Sequence, residues 1–568
     1  MGTVEQPDVS SWVETAIPAG LDITTADWPI ARAAGNPKLD DSLANLDHSP
    51  DLRTAEATGL RFDSAGRVQT QLIIRPEDEA TVRGLIDDAG GEATGYFDGV
   101  LQAWLPPEQL ASLAGDPSVE FIRPPDTAQI EDDAALATLS EGVAASNAAA
   151  WHAAAWRGHR VRIAIIDTGF QGYSTKLGSD LPAAVTVRNF VDGQSAAEVD
   201  GTTRHGTACA EIAHDMAPLA ELYLLKISTD VDLNEAVNYA ISQGVDIIST
   251  SLTFINVTPG DGTGRFAEMA QRARNAGILW TTAAGNFRET HWAGTFTDGD
   301  GDGLHEYAPG VEVNVFGPGN NTAFLIPAGT VLSPSIRWSD WTAVDQDYRL
   351  LLVRHTGSAF EIVAGGNNPQ TGNPGQRPTE RLSYVTSGPA AVYGVAVERI
   401  TGNRATHLHL LVPNRELDRR IPAKSLGNLA DVPAVLTVAA VNSGAPFNRE
   451  EYSSEGPTNG PGGTATGGFL KPGIAAFANV STASYGIRGF NGTSAATPHV
   501  AGAAALVLQA YPTALPGELQ DYLQSAAVNQ GLPGPDPQFG YGRLNLNAPP
   551  GPWDYPFHSF APAVVSAP

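Results

Sequence analysis

Lysine is scarce in this chain. Only five of its 34 basic residues are Lys, and against 62 Asp and Glu they leave a formal net charge of −28. Nucleic-acid binders concentrate cationic side chains on one face, so this deficit excludes a phosphate-binding surface. Cysteine is nearly absent as well. Cys209 stands alone, so no intramolecular disulfide can form and stability has to come from packing. No apolar run reaches the roughly 18 residues a membrane-spanning helix needs. The N-terminal MGTVEQPDVSSW lacks the charged-then-apolar pattern of a signal peptide. What the chain does have is length: 568 residues, 42 % of them hydrophobic, are enough for about two to four domains with real cores.

Residues 1–67 are polar and read as a leader, with one modest helical stretch near Lys38–Leu46. From Val68 the pattern changes to strand (VQTQLII), amphipathic helix, strand (VLQAWL), Pro-initiated helix and strand (VEFIRPP), a small α+β unit over 68–125. Residues 126–150 read as a linker merging into a helix. From Val161 continuous apolar strands alternate with helices, which predicts a parallel sheet covered on both faces. In such sheets ligands bind beyond the carboxyl ends of the strands, where Asp167 and Asn286 fall. Over 295–425 the alternation gives way to period-2 runs such as YRLLLVRH and THLHLLVP, which predict an inserted antiparallel β-sandwich. The α/β pattern (151–294) resumes over 426–546, and a Pro-rich tail covers 547–568.

Four short segments carry chemistry: IDTG at 166–169, HGTA at 205–208, AAGN at 283–286 and NGTSAATPHVAG at 491–502. Acyl transfer needs a hydroxyl, a base for its proton, a carboxylate that fixes the base's tautomer, and donors for the oxyanion. Asp167, His205 and Ser494 supply the first three in the order Asp, His, Ser, and no G-x-S-x-G elbow surrounds Ser494. Ser494 opens a helix, where the dipole favours negative charge. IDTG is also the aspartic-protease signature, but that chemistry needs two such carboxylates and the chain has one DTG.

With SSEGPT and KPGIAA upstream of the serine, these segments resemble the subtilisin family of serine proteases over about 161–290 and 430–545. The resemblance implies a three-layer α/β fold and an endopeptidase acting on proteins or peptides through an acyl-enzyme on Ser494. It implies His205 as general base, Asp167 as its orienting acid and Asn286 as an oxyanion donor. Ser251, Leu252 and Thr253, with Ala283, Ala284 and Gly285, would line the substrate. Thr253 stands where the family usually has Gly and is expected to narrow the primary specificity pocket. The residue after the nucleophile is Ala495, where the family often has an oxidisable Met, so activity is expected to survive peroxide. His214 and His499 are expected to pack or cap, and Cys209 to fill a buried space.

The 68–125 unit resembles the family's propeptide inhibitor, which implies a self-processing zymogen cut between Asp126 and Gly142. Export is then expected, with a cytoplasmic protein as the alternative, and a monomer. No organic cofactor is implied. TDGDGDGLHE sets Asp298, Asp300 and Asp302 at alternate positions with Glu306 beyond, a calcium-like array of hard oxygen ligands in a Gly-loosened loop, against a solvated acidic turn as the alternative. Position 309, where an EF-hand would place its acid, is Pro309. Trp338 and Trp341 are expected in the core of the insert, which must fold out beside the cleft and could restrict access to it. A non-catalytic binding protein and a transamidase on the same fold are the rival functions.

Overall fold

The computed structural model describes residues 36–44, 46, 59–129, 139–317, 325–413 and 415–551. Most of the polar leader, the centre of the processing linker and nearly all of the Pro-rich tail lie outside the described residues. The chain forms two compact units: Met1–Pro124 with Glu289–Pro422 and Gly462–Ala465, and Pro125–Arg288 with Ala423–Pro461 and Thr466–Pro568.

The first unit begins with β1 (Val68–Ile74), α1 (Glu79–Asp88), β2 (Glu92–Phe97), β3 (Val100–Leu105), α2 (Leu110–Ala114) and β4 (Val119–Arg123). Its antiparallel sheet runs β2-β3-β1-β4. Val82 and Ile86 of α1 and Leu110 and Leu113 of α2 close one core over it. The strand β2 was not expected: EATGYF alternates poorly. Its signal is the Asp98-Gly99 pair that follows, where φ values of 50° and 72° fit a tight hairpin turn. Leu39, Leu43 and Leu60, from the segment expected to stay outside any core, are buried in this one.

The second unit opens with β5 (Arg162–Asp167), β6 (Thr186–Asn189), α3 (His205–Met216), β7 (Glu221–Lys226), α4 (Asp230–Ser242), β8 (Ile247–Thr250), α5 (Arg265–Asn275) and β9 (Leu279–Ala283). The chain then leaves for the first unit at Glu289, six residues before the expected start of the insert (residue 295), because the preceding residues already pair as strand. There it builds β10 (His291–Thr295), β11 (Asn314–Val315), β12 (Ser335–Trp338), β13 (Asp347–His355), β14 (Phe360–Gly366), β15 (Thr379–Arg381), β16 (Tyr393–Thr401) and β17 (His407–Leu411). These form two four-stranded antiparallel sheets, β10-β17-β12-β15 and β11-β16-β13-β14. Trp338, Ile336 and Leu410 of the first face Tyr348, Leu350 and Val395 of the second in one core, which makes the sandwich.

Back in the second unit, β18 (Leu436–Asn442), β19 (Ile474–Ala478) and α6 (Gly492–Ala510) complete a seven-stranded parallel sheet in the order β19-β18-β9-β8-β5-β7-β6. Ile163 and Ile165 of β5 share a core with α3 and α6. Ala164 and Ile166, pointing the other way by strand alternation, are equally buried, so both faces are covered. The order reverses at β5, with β6 and β7 to one side and β8 and β9 to the other. A crevice opens at the carboxyl ends of strands where this happens. Asp167 is the last residue of β5.

Candidate active site

Asp167 Oδ1 accepts the Thr168 amide at 2.8 Å, which fixes the carboxylate so that Oδ2 meets His205 Nδ1 at 2.8 Å. A carboxylate only accepts, so Nδ1 carries the proton and Nε2 holds the basic lone pair. Gly206 allows this approach: a Cβ there would lie 2.6 Å from the Gly169 carbonyl and 2.7 Å from Asp167 Cβ. His205 is the first residue of α3, and its ring is fully buried, with Phe490 edge-on at 5.4 Å between centroids. Phe490 was not singled out in the sequence, although it directly precedes the NGTS segment.

Ser494 lies in the first turn of α6, 5 % exposed, and its hydroxyl donates to the Ser251 carbonyl at 3.2 Å. Pro498 lies inside α6, beyond its first turn. Its missing N–H is the one that would have bonded the carbonyl of Ser494, four residues back. That carbonyl instead accepts the Ser251 hydroxyl at 2.9 Å and faces the Cys209 thiol at 3.7 Å. Cys209 therefore does more than fill space: it touches the backbone of the residue that carries the hydroxyl. Asp167, His205 and Cys209 also bring their ligand atoms within 4.8 Å of one another.

Asn286 follows β9. Its Oδ1 accepts the Thr493 amide at 2.9 Å and the Thr493 hydroxyl at 3.0 Å. Two donors on one side-chain atom settle the amide's orientation, so Nδ2 is the atom that can face a developing oxyanion. It lies on the Gly492 side, where an added Cβ would be 2.9 Å from it. Thr493 is thus a positioning residue that the motif contained but its spacing did not mark; its hydroxyl also accepts the Gly285 amide at 3.2 Å.

The expected substrate-lining residues come together. Ser251, Leu252, Thr253, Ala283 and Ala284 are all buried, and Gly285 has the positive φ of 103° that a side chain would resist. Thr253 packs on Gly427, where a Cβ would fall 1.8 Å from its Oγ1. The strand that Thr253 follows is already paired. Gln129 donates to the Thr253 carbonyl at 3.0 Å, Ala128 donates to Ser228 at 2.8 Å, and Asp230 donates to Asp126 at 3.1 Å. Residues 126–129 therefore run as an extended segment bridged antiparallel at Thr229 and at Thr253, the latter two residues from the carbonyl that holds Ser494.

His499 is fully buried; Nδ1 donates to the Ala495 carbonyl at 2.8 Å, so Nε2 accepts the Ser140 hydroxyl at 2.6 Å. Burial lowers its pKa to about 4, against the partial opposition of the Ala495 bond. His214 is half-buried near the end of α3, and Trp338 lies in the sandwich core, whereas Trp341, expected there too, is half-buried and outside that core. In the first unit, Asp298, Asp300 and Asp302 hold ligand oxygens within 4.8 Å of one another, and Glu306 Oε2 reaches Gly299 between the first two.

A hydroxyl at a helix N-terminus, a buried imidazole–carboxylate pair and a side-chain amide, at the reversal point of a parallel sheet, are the residue types that serine acyl transfer uses. The subtilase family model matches residues 158–542, and the chain belongs to that family. Subtilisin DY of Bacillus licheniformis is 35 % identical over 124 residues, 22 % of this chain and 40 % of that protein. An extracellular protease of Xanthomonas campestris is 26 % identical over 353 residues, covering 59 % of this chain and 51 % of its own length. The chain thus spans about half or less of these relatives. The structure of the Clostridium perfringens CspB protease matches with a TM-score of 0.51 and 16 % identity over 72 % of this chain and 98 % of that one, a likeness of fold. Among the described residues no helix is long and apolar enough to cross a membrane.

Proposed function

We propose that the chain is a serine endopeptidase whose acyl-enzyme forms on Ser494, and the observation that carries this is the buried His205–Asp167 pair at 2.8 Å. Rotation of the Ser494 hydroxyl away from the Ser251 carbonyl offers its proton to His205 Nε2. The oxygen attacks a substrate carbonyl whose developing charge is met by Asn286 Nδ2 and the Ser494 amide; the imidazolium, held by Asp167, then protonates the leaving amine. A fluorophosphonate probe should label the wild type and not Ser494→Ala, and the same substitution should lower kcat on a peptide substrate by about six orders of magnitude, the loss known for a subtilisin. Equal labelling of both would refute the assignment.

The paired segment Asp126–Gln129 supports a zymogen in which the preceding domain acts as an intramolecular inhibitor. An extended chain that adds to an exposed edge is how a peptide substrate binds such a site. Self-cleavage then falls in the linker between Asp126 and Gly142, which the paired segment enters. Mass spectrometry of the purified protein should give a mature chain whose first residue lies in that interval. A Ser494→Ala protein that is shortened in the same interval would remove the self-processing reading. Export and a monomeric state complete the proposal.

A further inference from the structure

The acidic loop after β10 has a partner that its spacing does not reveal. Asp298 Oδ1 accepts the Gly301 amide at 2.7 Å and its Oδ2 the Gly303 amide at 3.3 Å, while Asp302 Oδ1 accepts Leu304 N–H at 2.8 Å, so the loop curls around its own carboxylates. Arg399 reaches Asp298 at 3.3 Å and is the only cation paired with the loop among the described residues. Glu306 Oε1 accepts the Gly310 amide at 3.1 Å, which turns Oε2 toward Gly299. These bonds shape the loop without explaining why so many negative groups share it.

Glu312 is the independent observation. It is only 5 % exposed, beneath a thin cover near the surface, and its Oε2 is sealed from solvent with no hydrogen-bond partner. Besides its burial, the charges acting on it are those of Asp302, Asp300, Glu306 and Asp298, in falling order, so the loop's carboxylates are the charged groups around it. A buried carboxylate oxygen without a donor, in the field of four other carboxylates, is costly unless a cation joins them. The chain path fits. Pro309 cannot supply the acid that would close a twelve-residue calcium loop, but the turn from Ala308 to Val311, closed by a 2.8 Å bond, brings Glu312 round three residues later.

We propose that Asp298, Asp300, Asp302 and Glu312, with Glu306 beside them, bind one divalent cation of the calcium type. Ligand oxygens lie about 2.3–2.6 Å from calcium, so two of them on opposite sides are about 5 Å apart, and the three Asp oxygens, all within 4.8 Å of one another, are close enough to share one ion. Magnesium, which demands a near-ideal octahedron at about 2.0–2.1 Å, suits this wide acidic set less well. The site does not depend on the peptidase reading, because every ligand lies in the first unit.

Terbium, a luminescent stand-in for calcium, tests it directly. Trp292 packs 4.8 Å from the His305 ring and 5.0 Å from Tyr307, so an ion in this loop has an indole close enough to sensitise its emission. In the full-length Ser494→Ala chain, which cannot digest itself if the peptidase reading holds, terbium should give Trp-sensitised emission that calcium quenches. Asp300→Asn, at an exposed position that folding does not depend on, and the isosteric Glu312→Gln should each weaken terbium and calcium binding at least about tenfold, which is about 1.4 kcal/mol. Sensitised emission that survives Asp300→Asn unchanged would place the ion elsewhere. Binding in Glu312→Gln as tight as in the parent would remove Glu312 from the site, and absence of both emission and a calcium-dependent shift in Tm would overturn the proposal.

Discussion

The two units use their strands in opposite ways. In the second unit β5, β8 and β9 are buried on both faces, so their middles carry only packing and the chemical groups stand at or just past their ends: Asp167, Ser251 and Asn286. In the sandwich strands such as β12, β13 and β16 have one face in the main core, and the polar groups of interest lie in a connection, the loop from Asp298 to Glu312. A fully covered parallel sheet leaves function to the residues where strands stop, whereas a two-sheet sandwich leaves it to the loops between them. Substitutions in the first should therefore change rate with little loss of stability, and in the second the reverse.

The largest effect on stability is expected from Trp338→Ala. Its ring is 1 % exposed, stacks edge-on to Tyr348 at 5.1 Å, and donates to the Gln346 carbonyl at 3.2 Å. Removing it should cost about 3–5 kcal/mol in denaturant unfolding of the sandwich, with kcat on a short peptide unchanged; a matching loss of kcat would break the contrast. Asn286→Ala should act chiefly on rate, lowering kcat by about 10²–10³-fold at unchanged KM, with a smaller loss of Tm from the two bonds its Oδ1 accepts. Next comes Gly427→Ala, whose methyl would collide with Thr253 Oγ1 and cost about 1–3 kcal/mol. Thr253→Gly in the same chain should restore it, and by itself should broaden cleavage preference in a peptide library. A Gly427→Ala protein as stable as the parent would show that the two residues are not a matched pair.

The smallest effect is one of pH. His499 takes up a proton only near pH 4 when folded, but near 6.5 in the unfolded chain. Between those values the unfolded state binds more protons, so the stability linked to His499 is complete above pH ~6.5 and is lost as pH falls toward 4. Glu211, Asp215 and Asp232, held up to about 7 chiefly by burial, work against this: their contribution is complete below the usual carboxylate range and is lost as pH rises through 7. The difference in Tm between parent and His499→Gln across pH 4–6.5 isolates the histidine. A difference independent of pH would mean that the ring is not neutral in the folded chain.

Sequence pattern revealed the parallel sheet because residues such as those of VRIAIID are apolar without a break, and it located Asp167, His205, Asn286 and Ser494 because each sits at an element boundary marked by Gly or a polar residue. It could not reveal what depends on contacts distant in sequence. Thr493 locks Asn286 across 207 positions, and Ser251 replaces the bond that Pro498 withholds across 243. Glu312 escaped for a different reason: a lone acid after a turn carries no spacing signal, and only its burial sets it apart. Periodicity did not mark β2 because a strand that is half-buried or exposed along its whole length, with a Gly inside, lacks the alternation that periodicity detects, although the turn beside it was readable.

The ends of the insert are tied to each other. β10 and β17 pair over five positions, Val412 donates to the Thr290 carbonyl at 3.0 Å, and Ile421 donates to that of His291 at 2.8 Å. Entry and exit therefore lie side by side, and the loop-closure entropy of the whole excursion is met at its base rather than by the sheet it interrupts. With respect to the sheet it interrupts, such a segment is a cassette: excision between Arg288 and Ala423 with a short Gly-Ser bridge should leave β9 and β18 in place, at the cost of the packing it shares with the N-terminal domain of the first unit.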